Sequence, residues 1–149
     1  MQFKALGNSG MVVPEICLGT MTFGEQNNQQ EAFSQLDYAL ERGVYFWDTA
    51  EMYPVPPKAE TQGATEQIIG NYLKQRGGRD KVFIASKIAG PGYGGSAIRN
   101  GQTRYHRADI QAALEGNLQR LQTDYIDLYQ LHWPERPTNI FGRLGYGNQ

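Results

Sequence analysis

The feature that most constrains this chain is an alternation of helix-period and strand-like segments that repeats three times. Residues 30–42 carry apolar side chains at Ala32/Phe33, Leu36 and Ala39/Leu40, the spacing of one helical face, and Gly43 stands where a terminating glycine belongs. The aromatic and β-branched run Val44-Tyr45-Phe46-Trp47 follows and reads as a strand. Residues 64–76 repeat the helical spacing with Ile68/Ile69 and Tyr72/Leu73 before Gly77-Gly78, and 81–86 read as the next strand. Residues 107–121, with Ile110, Ala113/Leu114, Leu118 and Leu121, predict a third helix, and 126–131 a fourth strand. Glu15-Ile16-Cys17-Leu18 supplies the first, read as a short buried strand stopped by Gly19. Before it, residues 2–6 and 11–13 flank Gly7-Asn8-Ser9-Gly10 and predict a hairpin closed by Pro14. A hairpin followed by βαβαβαβ calls for parallel strands joined by right-handed crossovers. Four such strands with three helices are either half of a (β/α)8 barrel, whose usual size is about 250 residues, or a small open sheet. Residues 133–149, with Pro134, Pro137, Gly142, Gly145 and Gly147, show no period and no closing helix.

Composition narrows the class. With 149 residues, 40% of them hydrophobic, 19% charged and a net charge of -1, the chain has enough apolar surface for a core. The reading is one partial domain over residues 1–149, with no linker that would split it. No apolar run is long enough for a membrane span, and no secretory signal opens the chain. The near-neutral charge gives no basic surface for nucleic acid. A lone cysteine, Cys17, fits a reducing compartment, so the expectation is a soluble, cytoplasmic protein. His106, His132 and Cys17 have no metal-ligand spacing, and Ser86 has no histidine near it in sequence for a hydrolase triad.

Gly90-Pro91-Gly92-Tyr93-Gly94-Gly95 formally matches the dinucleotide fingerprint G-x-G-x-x-G. That fingerprint works when the glycines lead straight into a helix whose amides hold a pyrophosphate. Here the next helical pattern starts about ten residues later and Pro91 removes an amide, so the run reads as a βα loop. The strand ends are more informative, because ligands of parallel α/β folds sit at the carboxyl ends of strands. Asp48, Lys87 and His132 each follow a strand there, and Tyr53 lies five residues past Asp48. Singly each has a bland explanation: a capping carboxylate, a solvated lysine, a half-buried histidine, a packed tyrosine. Jointly they make a site that could polarise and protonate a carbonyl. Asp48 would pair with Lys87, the Lys87 ammonium would lower the phenol pKa of Tyr53, and His132 would orient a substrate oxygen.

Four runs carry a resemblance: Leu18-Gly19-Thr20-Met21-Thr22-Phe23-Gly24, Trp47-Asp48-Thr49-Ala50-Glu51-Met52-Tyr53, Ser86-Lys87, and Thr123-Asp124-Tyr125-Ile126-Asp127-Leu128-Tyr129-Gln130-Leu131-His132-Trp133-Pro134. In this order they resemble the aldo-keto reductase family over the whole chain. Tyr53-Pro54-Val55-Pro56-Pro57 with Glu60-Thr61-Gln62-Gly63 is similar to its bacterial Tas-like branch. The resemblance implies the N-terminal half of a TIM barrel opened by a hairpin, and NADPH-dependent reduction of aldehydes or ketones. It places the family's catalytic tetrad on Asp48, Tyr53, Lys87 and His132, with Tyr53 as proton donor. It implies cofactor contacts at Gly19, Thr20, Met21 and Asp48, and substrate contacts at Tyr53, His132 and Trp133. Pro54 stands where many members have glycine, which leaves substrate preference open. The main phosphate and adenosine contacts of the family lie in the second half of the barrel. Residues 1–149 are therefore expected to bind NADPH weakly or not at all, and, with open edges at 15–18 and 126–131, to self-associate, aggregate or be marginally folded. A non-catalytic regulatory subunit with the same fold is the alternative.

Overall fold

The structure is a computed structural model that describes residues 1–92, 97–136, 139 and 145. Strands β1 (Phe3–Ala5) and β2 (Val12–Pro14) form the antiparallel hairpin, with Phe3 opposite Pro14 and Ala5 opposite Val12. Strands β3 (Leu18–Gly19), β4 (Phe46–Asp48), β5 (Phe83–Ile88) and β6 (Leu128–Leu131) form one parallel sheet in sequential order. Helices α1 (Gln29–Glu41), α2 (Ala64–Arg76) and α3 (Arg107–Leu121) are the crossovers. The order is that of successive βα units of a barrel, and the four strands do not close on themselves.

Local chemistry explains the boundaries. Asn28 caps α1 by accepting from the Glu31 amide at 3.0 Å, while the Glu31 carboxylate accepts from the Asn28 amide at 2.9 Å. The strands begin about two residues later than their apolar runs suggest. The Val44 amide closes the end of α1 by donating to Ala39 O, and Lys81 belongs to a 3-10 turn, Arg79–Lys81, that precedes β5. The expected buried strand at 15–18 is corrected: only Leu18–Gly19 pairs, and Glu15, Ile16 and Cys17 are exposed. Glu15 belongs to the hairpin, donating its amide to Gln2 O and forming an ion pair with Lys4 at 2.6 Å.

Register separates the two faces of the sheet. Leu18 pairs with Trp47, and Trp47 with Ile84; these side chains meet the helices. Trp47, Ile84, Leu36 and Ile69 are fully buried there, each stabilising the layer by about 1.5–3 kcal/mol. One polar knot lies within this layer. Glu66 of α2 accepts from Ser86 Oγ and Asn117 Nδ2, each at 2.6 Å, and pairs with Arg120 Nε at 2.7 Å. Asn117, not an apolar residue, therefore fills the centre of the α3 stripe between Ala113 and Leu121. Below the sheet, Arg79 donates to Thr123, Val82 O and Tyr125 O and pairs with Asp127 at 2.7 Å. Much of the 123–127 motif thus fastens β6 to the start of β5. The opposite face carries Gly19, Asp48 and Ala85 as successive cross-strand partners, with Lys87 and Gln130 further along.

Candidate active site

Strand ends bring the four expected residues to one rim. Asp48 closes β4, Lys87 is the penultimate residue of β5, and His132 follows β6 with its amide donating to Ile88 O at 3.2 Å. Tyr53 reaches the same rim from the β4–α2 loop, where its peptide bond to Pro54 is cis, as is Val55–Pro56. Lys87 Nζ donates to Asp48 Oδ2 at 2.6 Å, to Thr49 O at 2.7 Å and to the Tyr53 hydroxyl at 3.5 Å. The Tyr53 ring meets the His132 ring edge-on, with centroids 5.6 Å apart, and Lys87 Nζ lies 4.9 Å from the Tyr53 ring centre.

The electrostatics correct one expectation. Lys87 does not lower the Tyr53 phenol; burial, reinforced by the Asp48 charge, pushes it up to about 12. Burial dominates here: the Lys87 ammonium is held by Asp48 at 2.6 Å and meets the phenol only at the 3.5 Å limit of a hydrogen bond. Tyr53 therefore keeps its proton at neutral pH. His132 is pushed down to about 4, first by burial and then by the Lys87 charge, so its ring is neutral near pH 7. Its Nδ1 is buried without a hydrogen-bond partner among the described residues.

The first βα loop divides its labour. Gly19 faces open space, with nothing within 4 Å of where a Cβ would stand. Thr20 is fully buried, and its amide and hydroxyl both donate to Asp48 O, at 3.1 and 2.8 Å, so its side chain holds Asp48 in place. Met21 is half exposed and its carbonyl accepts the Val55 amide, tying this loop to the one after Tyr53. Trp133 is 8% exposed and packs with Ala50, Met52, Ala89 and Ile98 in a small cluster against which Tyr53 rests. Its indole N–H donates to Pro91 O at 3.2 Å. A Cβ on Gly90 would stand 2.3 Å from that indole nitrogen, so the first glycine of the 90–95 run is required by Trp133 packing. Tyr93, Gly94 and Gly95 lie outside the described residues.

Sequence reasoning passed over three contributors. Glu51, 2% exposed, accepts the Ala89 amide at 2.9 Å and pairs with Arg99. Tyr105 donates to Trp133 O at 2.5 Å and accepts from the Trp133 amide at 3.3 Å, anchoring the segment just after His132. Glu51 was visible only as part of the Trp47–Tyr53 motif, and nothing in sequence marks pairs separated by 28 or 48 residues. Among the described residues, the rim cations Lys87, Arg99 and Arg104 are each paired with a carboxylate: Asp48, Glu51 and Glu135. No group of three or more His, Cys, Asp or Glu able to hold a metal occurs among the described residues.

Protein tas of Escherichia coli is 51% identical over 146 residues, which are 98% of this chain and 42% of that protein. The chain thus spans under half the length of this relative. Among solved structures, an aldo-keto reductase of Bacillus halodurans in its holo form superposes with a TM-score of 0.70 at 34% identity. The match covers 88% of this chain and 40% of that one. An aldo-keto reductase of Klebsiella pneumoniae in complex with NADPH superposes with a TM-score of 0.62 at 36% identity, covering 85% and 38%. The sequence model of the Aldo/keto reductase family matches residues 15–145. With that span matched, and with successive βα units of the barrel in place, the chain belongs to the aldo/keto reductase family.

Proposed function

We propose that these residues form the catalytic rim of an NADPH-dependent reductase of aldehydes or ketones. The observation that carries the reading is the convergence of a protonated, half-buried phenol with a lysine–carboxylate pair and a neutral imidazole. The rim suits the nicotinamide end of the cofactor: Gly19 leaves a flat open approach beside Asp48, and Met21 offers an exposed apolar side chain. When bound, NADPH supplies a hydride to the carbonyl carbon. Tyr53 gives its proton to the carbonyl oxygen, and the balance of hydride and proton yields an alcohol. Lys87 donates to the Tyr53 hydroxyl at 3.5 Å and holds it towards the rim, and Asp48 aims the ammonium through its 2.6 Å contact. His132, uncharged, offers the same oxygen a hydrogen bond without competing as an acid. Trp133 is part of the small apolar cluster on which Tyr53 rests. Lys87, Arg99 and Arg104 are already paired with carboxylates and offer the phosphate end of the cofactor little, so residues 1–149 alone bind it weakly or not at all.

The test is NADPH consumption by the full product of the gene against a panel of aliphatic and aromatic aldehydes and ketones. Consumption coupled to alcohol formation supports the reading. Cofactor binding without consumption on any carbonyl would contradict it.

A further inference from the structure

Every polar group of Glu51 is engaged. Its amide donates to Lys87 O at 3.0 Å, and its carbonyl accepts from Gln62 Nε2 at 2.7 Å. One carboxylate oxygen accepts the Ala89 amide at 2.9 Å and the other pairs with Arg99, whose side chain is 14% exposed. Glu51 lies three residues after Asp48 and two before Tyr53, while Lys87 and Ala89 bracket the end of β5. Backbone and carboxylate therefore tie the Tyr53 loop to the Lys87 strand at two points. The Tyr53 hydroxyl itself meets that strand through the 3.5 Å contact to Lys87 Nζ, already at the limit of a hydrogen bond. A loop shift of a fraction of an ångström would break it. A buried ion pair is a poor device for stability, since an apolar pair of similar volume is commonly as good. Its value lies in fixing one geometry.

We propose that Glu51 is a positioning residue: bridging the Ala89 amide and Arg99, it sets the distance between the Tyr53 hydroxyl and Lys87. The inference rests on Tyr53 being the proton donor. Arg99 reaches Glu51 from the segment after β5, with a φ of 44°. The same segment brings Ile98 into the cluster against which Tyr53 packs.

The test is steady-state kinetics of Glu51→Asp, Glu51→Gln and Tyr53→Phe in the full product of the gene. Glu51→Asp keeps the charge but withdraws it by one methylene, so it cannot hold Ala89 and Arg99 together without moving the loop. The expected result is a folded Glu51→Asp whose kcat falls ~10-fold or more while KM for NADPH changes less than about twofold. Glu51→Gln follows the same pattern if it folds; if it does not, Glu51→Asp decides. Folded Glu51 variants with kcat within about twofold of the parent would overturn the proposal. So would a parallel loss of kcat, NADPH affinity and thermal stability, which marks general loosening. Full turnover by Tyr53→Phe would instead overturn the donor reading itself, and is seen separately.

Discussion

Gly70→Ala sets two physical effects against each other with opposite signs. Gly70 lies within α2, where alanine is intrinsically better by about 1 kcal/mol. A Cβ there, however, would stand 2.3 Å from Arg120 O, 2.8 Å from Leu121 C and 3.0 Å from Leu121 O. All three are backbone atoms of α3, so no side-chain rotation relieves them, and the helices must separate by roughly 1 Å to reach ordinary contact. Such overpacking costs about 1–3 kcal/mol. The same displacement stretches the Arg120–Glu66 contact at 2.7 Å and the Asn117–Glu66 contact at 2.6 Å, whose carboxylate is fully buried. Losing one hydrogen bond to a buried charge adds about 1.5–3 kcal/mol. Against the helix-propensity gain of about 1 kcal/mol, the net loss is about 1.5–5 kcal/mol. Urea denaturation of parent and variant, followed by far-ultraviolet circular dichroism, measures it as a lower midpoint at similar slope. An unchanged or raised midpoint would refute the claim that α2–α3 contact, not helix propensity, decides residue 70.

Three further outcomes are expected. The His132 ring titrates near pH 4 by proton NMR. Because its folded value lies below the unfolded value near 6.5, the unfolded chain takes up the proton first, so stability falls as pH drops from about 6.5 towards 4. The slope is at most about 1.4 kcal/mol per pH unit, less for solvent screening. A His132 titration above 6 would contradict the burial argument. Asp48→Asn removes a charge that raises the Tyr53 phenol, so the tyrosinate titration assigned by difference with Tyr53→Phe moves down; no movement would mean that Asp48 does not act on Tyr53. Residues 1–149 expressed alone self-associate through the edges at β3 and β6, measured by sedimentation velocity; a single monomer species would count against that.

The helices were legible almost to the residue, because apolar spacing and flanking glycines act locally. Helices α2 and α3 occupy the spans their periodicity predicts, and α1 is displaced by one residue. The strand starts were less legible, because Val44 and Lys81 serve the end of a helix and a 3-10 turn rather than the sheet. Glu15–Cys17 looked buried by composition, yet a two-residue edge strand after a hairpin leaves them exposed. The rim residues could be named from sequence because the strand-end rule is positional. The sign of the Tyr53 shift could not, since it is set first by how far the loop after β4 buries the phenol and then by the Asp48 charge, neither of which spacing reveals. Nor could the Glu51–Arg99 and Tyr105–Trp133 ties, which join loops remote in sequence and follow no periodic pattern.

The central claim is that the Tyr53 hydroxyl supplies the proton to a reduced carbonyl. Tyr53→Phe removes one oxygen and leaves the ring packed against Ala50, Met52 and Trp133. The direct measurement is paired: NADPH affinity by fluorescence titration, and kcat with a carbonyl substrate, on the same preparation of the full gene product. The account predicts affinity within about twofold of the parent and kcat lower by ~100-fold or more, the scale of a lost general acid. Turnover within about threefold of the parent, with affinity intact, would contradict it.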